Sequence, residues 1–140
     1  MATSTSYRLD PALKARLAAQ ATTEGVPETA LVTRLLEQGL STIRHPGVVF
    51  RPGPSGWRAA LAGGPDVDEV VRALRSGGAT GDDAVAATAA DLGIDARLVR
   101  IAVDYAAEHL EEIEARLRDN DEAAERVRRL TEARAAVLAE

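Results

Sequence analysis

The chain has 140 residues, room for one ordinary domain or two to three small modules in series, and a net charge of −5. Apolar residues make up 46% but aromatics only 3%, so any core must be built from Ala, Leu, Val and Ile, which favours packed helices over a large sandwich or barrel. Absent cysteine excludes disulfides, thiolate catalysis and the common structural zinc sites, and His45 and His109 alone are too few for a multi-histidine metal site.

No apolar run approaches the roughly 20 residues that span a bilayer, and Met1–Ser6 does not resemble a secretory leader, so a soluble, cytoplasmic chain is expected. The negative charge is unevenly spread. Residues 1–44 carry one net positive charge, residues 45–118 carry −4 and residues 119–140 carry −2. Phosphate contact depends on local charge, so the amino-terminal segment is the least hostile to nucleic acid and the remainder suits a protein partner. Lys14 is the single lysine among seventeen cationic residues.

Thr3 to Asp10 alternates, with Thr5, Tyr7 and Leu9 on one face and Ser4, Ser6 and Arg8 on the other. So short a strand needs a partner. Asp10 and Pro11 then form a helix start, and Leu13, Leu17 and Ala21 make the stripe of a helix from about Pro11 to Glu24, closed by Gly25. A second helix begins near Glu28 and is expected to bury Leu31, Leu35, Leu36 and Leu40, with Gly39 weakening its end.

A short strand, a helix, a Gly-containing turn and a second helix resemble the ribbon-helix-helix family of DNA-binding proteins, in its CopG/Arc-like branch. The likeness is carried by Tyr7-Arg8-Leu9-Asp10-Pro11, Leu13, Leu17, Gly25-Val26-Pro27-Glu28-Thr29, Leu31 and Leu35-Leu36, over about the first forty residues. It implies a homodimer whose strands pair antiparallel and enter the major groove of operator DNA as a two-stranded ribbon. On that resemblance Ser4, Ser6 and Arg8 are the base readers, and the start of the second helix, at Glu28 and Thr29, grips a phosphate. Pro27 stands where the family usually has a Ser or Thr cap, and Glu28 has the wrong charge for a phosphate. The plainer alternative is a dimerisation arm whose polar residues face water. Arg16 and Arg34 are expected to be solvated.

His45-Pro46-Gly47 breaks the second helix. Val48–Arg51 and Trp57–Leu61, separated by Pro52-Gly53-Pro54-Ser55-Gly56, predict a hairpin with Phe50 and Trp57 as packing anchors. Three helices follow: one from Pro65 or Asp66 carrying Val67, Val70, Val71 and Leu74, one from Thr80 or Gly81, and one capped by Asp95 that continues towards Leu110 and Ile113. The last two, joined at Leu92-Gly93-Ile94, make a helix-turn-helix pattern.

This region resembles a second family, a small bacterial domain of unknown function bearing the number four hundred and thirty-three. His45-Pro46-Gly47, Arg58, Gly63-Gly64-Pro65-Asp66-Val67, Glu69-Val70-Val71, Ala102, Tyr105-Ala106, His109 and Glu111-Glu112-Ile113 carry the likeness over residues 45–118. It implies a VapB-type antitoxin paired with a PIN-like nuclease toxin; a second Gly/Pro/Arg cluster of the commoner form is missing from the hairpin. Either Arg97 and Arg100 touch DNA or the helices form a protein-docking platform, which the acidic Asp91, Asp95 and Asp104 favour. Tyr105 and His109 are expected to pack or to hydrogen-bond.

Asn120 or Asp121 is expected to cap a final helix through Ala123, Val127, Leu130, Val137 and Leu138. Its narrow apolar stripe suits either a dimer mate or a toxin groove, with Arg126, Arg128, Arg129 and Arg134, beside Val127 and Leu130, as toxin-binding candidates.

The sequence thus predicts a mainly α chain of three parts. Residues 1–44 form a ribbon-helix-helix domain, 45–118 a hairpin-plus-helical antitoxin-like domain, and 119–140 an amphipathic helix. The expected function is that of an antitoxin in a type II toxin–antitoxin system, a dimeric repressor of its own promoter. The alternative is a stand-alone transcriptional regulator with a dimerisation or sensing domain. With no phosphate loop, Ser-His-Asp set or metal cluster, neither enzymatic activity nor a cofactor is expected.

Overall fold

A computed structural model describes residues 2–139, which divide into two compact units, Met1–Ile43 and Arg44–Glu140. The described chain is mainly helical, with one small antiparallel sheet.

In the first unit, α1 spans Pro11–Glu24 and α2 spans Glu28–Arg44, its last residue falling in the second unit. The Asp10 carboxylate accepts from the backbone N–H groups of Ala12 (3.0 Å) and Leu13 (3.3 Å), and Pro11 occupies the first helical position. At the other end Gly25 adopts φ +69°. The Gly25 N–H reaches the Thr22 carbonyl and the Val26 N–H reaches the Ala21 carbonyl, the paired bonds of a Schellman stop. Between the helices Arg34 forks onto Glu24, with N···O distances of 2.7 and 3.0 Å. Arg34 is therefore not the solvated residue its surface position on the helix suggested; Glu24 at the end of α1 draws it in.

Two further expectations fail within the single chain. Residues 2–10 have no regular secondary structure, and Tyr7 is 81% exposed. A strand requires a neighbouring backbone to bond to, and the only sheet among the described residues, in the other unit, is a self-contained hairpin. Secondly, Leu31 is the only buried residue of α2, whereas Leu35, Leu36 and Leu40 are exposed. Gly39 does not shorten the helix, which continues to Arg44.

The Glu24–Arg34 fork carries a pH prediction. The guanidinium beside it, followed by the Gln20 side-chain amide at 2.9 Å, holds the Glu24 carboxyl at about 2, below its usual 4.5. A carboxyl whose pKa is lower in the folded state adds stability above its unfolded pKa and loses it as pH falls through the folded one. The difference in melting midpoint between the native chain and Glu24→Gln should therefore be full above about pH 4.5 and should close as pH approaches 2. Midpoints followed by helical circular dichroism check this; a gap that does not change with pH contradicts it.

The second unit begins with the turn His45-Pro46-Gly47. Gly47 sits at φ +101°, a backbone conformation that favours glycine, and a Cβ there would press on the tip of Ile101, 3.0 Å from its Cδ1. Strands β1 (Val48–Arg51) and β2 (Arg58–Leu61) pair antiparallel, with Val48 opposite Leu61 and Arg51 opposite Arg58. The tip is closed by the Gly56 N–H on the Gly53 carbonyl. Trp57 falls in the loop and is 38% exposed, whereas Phe50 packs against the core, edge-on to Tyr105.

Helix α3 (Val67–Ser76) opens on a reciprocal capping box between Asp66 and Glu69. Helix α4 (Gly81–Leu92) ends at Gly93 in the left-handed region, and α5 (Ala96–Glu108) is capped by Asp95. One core runs through these elements: Val48, Leu61, Val67, Val70, Val99 and Tyr105, joined by Ile113 and Leu117. It is aliphatic around one buried tyrosine, as the composition requires.

The last helix starts earlier than expected. The break falls at His109 (φ −130°, ψ 39°), and α6 then runs unbroken from Leu110 to Leu138, through Asn120 and Asp121. Those two residues do not cap a helix. Asn120 donates to the buried Asp68 carboxylate at 2.8 Å, and Asp121 pairs with Arg72 at 2.8 Å, so both tie α6 to α3. Leu110, expected on the apolar stripe, is exposed.

Candidate functional site

Three groups of residues carry the chemistry. The first is the amino-terminal arm. Ser4, Ser6 and Arg8 are exposed, but so are Tyr7 and Leu9, so burial in the single chain does not separate a reading face from a packing face. At the start of α2 the Glu28 carboxylate is paired with the Lys14 ammonium of α1. That pairing offsets the charge that would repel a phosphate at the free N–H groups of this helix end. Thr29 is exposed and uses its carbonyl to accept from the Thr33 hydroxyl at 3.0 Å. Around these residues Leu13, Leu35, Leu36, Leu40 and Ile43 remain exposed, while only Ala21 and Leu31 are buried among the described residues of the unit.

The second group is the far half of α6. Beyond Leu117 no described residue of this helix is buried, and Val127, Leu130, Val137 and Leu138 face solvent. The four arginine candidates are not equivalent. Arg128 is held by Glu125 and Glu132 of its own helix, both at 2.7 Å, and Arg129 lies 3.8 Å from Glu125. Arg134 lines a shallow apolar groove with Leu130, Ala133, Val137 and Leu138. Arg126 flanks an acidic stretch that includes Asp121 and Glu122. On α5, Arg100 pairs with Asp82 at 3.0 Å, an exposed contact that leaves it less available to DNA.

The third group emerged from the sequence only in part. His45 and His109 lie far apart in the chain, yet the fold brings their rings to a centroid distance of 5.9 Å. Tyr105 stacks on His109 at 4.2 Å and meets His45 edge-on at 5.3 Å. Glu108 lies between the elements. Its Oε2 is 3.0 Å from His45 Nε2, and Arg44 donates to both its oxygens, Nε to Oε2 at 3.2 Å and Nη2 to Oε1 at 2.7 Å. Arg44 first, and the His45 hydrogen bond after it, hold the Glu108 carboxyl at about 2. The Tyr105 hydroxyl donates to Glu112 at 2.8 Å, and burial first, then that carboxylate, push its own pKa upward. A tyrosine so placed is no general base near neutral pH. The four-residue spacing of Tyr105 and His109 pairs them in the sequence, but only the His45 turn returning onto α5 could add the second imidazole.

No family model, no curated protein and no solved structure matches this chain. The two family likenesses therefore rest on the quoted residues. Among the described residues, no helix is long and apolar enough to cross a membrane.

Proposed function

We propose that the chain is a homodimeric DNA-binding repressor, acting as the antitoxin of a type II toxin–antitoxin pair. The observation that carries the dimer is the exposed apolar surface of the first unit. Leu13, Leu35, Leu36, Leu40 and Ile43 are uncovered, with Tyr7 and Leu9 on the arm that precedes them. An apolar surface on that scale beside a core of two buried side chains calls for a partner. A second copy supplies a matching one, since a twofold interface uses the same patch twice. Antiparallel pairing of the two arms buries Tyr7 and Leu9 over the four helices and turns Ser4, Ser6 and Arg8 outward as a ribbon for the major groove. The ends of α2, with Thr29 and the paired Glu28, flank that ribbon against the phosphates.

Toxin binding falls to the exposed end of α6. Its apolar residues Val127 and Leu130 and its arginines Arg126, Arg128, Arg129 and Arg134 present a helix that can lie in a groove of a PIN-like nuclease. A second reading keeps the repressor and drops the toxin. It is favoured by the folded core of the second unit, which suits a sensing or dimerisation domain as well as a docking platform.

Binding of the intact protein to a duplex carrying its own promoter, measured across a range of salt concentrations, tests the shared part. Saturable binding by a dimer that weakens steeply with salt is expected; no binding at low salt contradicts the repressor. Co-expression with the product of the adjoining reading frame separates the two readings, because only the antitoxin co-purifies with a nuclease.

A further inference from the structure

The His45/Glu108/His109 cluster uses none of the residues assigned above to DNA or toxin binding. We propose that it binds one divalent transition-metal ion of the zinc class. The donor set is two imidazoles and a carboxylate, borderline ligands that suit Zn²⁺, Co²⁺ or Ni²⁺ rather than Mg²⁺ or Ca²⁺. One donor atom from each of the three residues lies within 4.8 Å of the other two. The His45 Nε2 to Glu108 Oε2 separation of 3.0 Å is already close to the edge of a tetrahedron built on bonds of about 2.0–2.1 Å. His109 must close the remaining gap, and it is placed to do so. It stands at the break between α5 and α6, its side chain caps neither helix, and it is one-third exposed.

The surroundings fit a cation. Glu112 presents Oε2 3.7 Å from His109 Nδ1 and is oriented by the Tyr105 hydroxyl, the kind of hydrogen-bonded carboxylate that supports a metal-bound imidazole or becomes a fourth ligand. The two carboxylates outweigh the single Arg44 guanidinium. Arg44 does not block the site. A carboxylate accepts at about four lone-pair positions, so Glu108 can keep its fork with Arg44 and still turn an electron pair to a metal. His45 is buried, which holds its ring in place, while the exposed edge at His109 leaves a path for entry.

A simpler account assigns His45 and Glu108 to a structural hydrogen bond. It requires nothing of His109, whose nearest charged group is Glu112 at 3.7 Å, beyond hydrogen-bond reach. The two accounts diverge on that residue.

The test uses the full chain, stripped with a chelator and titrated with CoCl₂, then with ZnCl₂ in competition. One Co²⁺ per chain is expected, with visible ligand-field absorption that Zn²⁺ abolishes. His109→Gln should weaken binding at least tenfold, in the range lost when a ligand or its support is removed, without changing the far-ultraviolet circular dichroism. His45→Gln should do the same, but because His45 is buried the partly exposed His109 decides the matter if that variant misfolds. Absence of saturable binding, or equal affinity in the native chain and His109→Gln, overturns the proposal and leaves the cluster as a structural hydrogen-bond network.

Discussion

Replacing Arg8 with alanine should cut affinity for the promoter duplex while leaving the protein dimeric and folded. A well-placed guanidinium forks onto the two acceptors of a guanine and discriminates by about 1–3 kcal/mol; a dimer carries two such residues, so about 2–6 kcal/mol is at stake. Arg8 is exposed, so its removal takes away no packing. The loss should be confined to the specific duplex. Binding to unrelated DNA of the same length, governed by phosphate charge, should change far less. A uniform loss on both duplexes would make Arg8 a phosphate contact rather than a base reader, and no loss on either would remove it from the interface. Ser4→Ala and Ser6→Ala should cost less, since a lone hydroxyl specifies weakly.

Ile113→Ala should markedly destabilise the second unit. Helix α6 has 29 residues but buries only Ile113 and Leu117, so it is anchored by two side chains just beyond the His109 break. Ile113 is fully enclosed by the common core. Truncating an enclosed isoleucine removes its apolar contacts and leaves a cavity, at a cost of about 2–5 kcal/mol. Thermal or urea unfolding measures that loss. The same substitution should loosen the ties of Asn120 to Asp68 and of Asp121 to Arg72, which depend on α6 staying in place. Amide exchange along residues 114–122 should therefore accelerate with it. A stability change below 1 kcal/mol would mean that α6 is held by those polar ties and not by packing.

The elements best foreseen were those bounded by local chemistry. Asp10-Pro11 and Gly25 fixed α1 because the cap, the proline and the left-handed stop all act within four residues of sequence. The first hairpin strand, Val48–Arg51, was likewise bounded by the turns on either side. What failed was decided by distant partners. Asn120 and Asp121 have the side chains of a helix cap, and only the positions of Asp68 and Arg72 on α3 turn them into ties across the core. The break at His109 carries no glycine or proline. The stripe of Leu35, Leu36 and Leu40 was read correctly as apolar and wrongly as buried within the chain, since periodicity marks an apolar face and does not say what covers it. The metal-binding candidate was only half visible for a similar reason: its two histidines meet through the Gly47 turn, and no spacing rule spans that distance.

The account rests on the arms of two copies completing the first unit. Hydrogen exchange of the backbone amides of residues 3–10 in the intact protein, followed over a range of concentrations alongside sedimentation equilibrium, tests this most directly. Paired arms predict a dimer, with every second amide in the arm protected and protection that fades on dilution. A monomer at all concentrations, with each of those amides exchanging as fast as in an unfolded peptide, would contradict it.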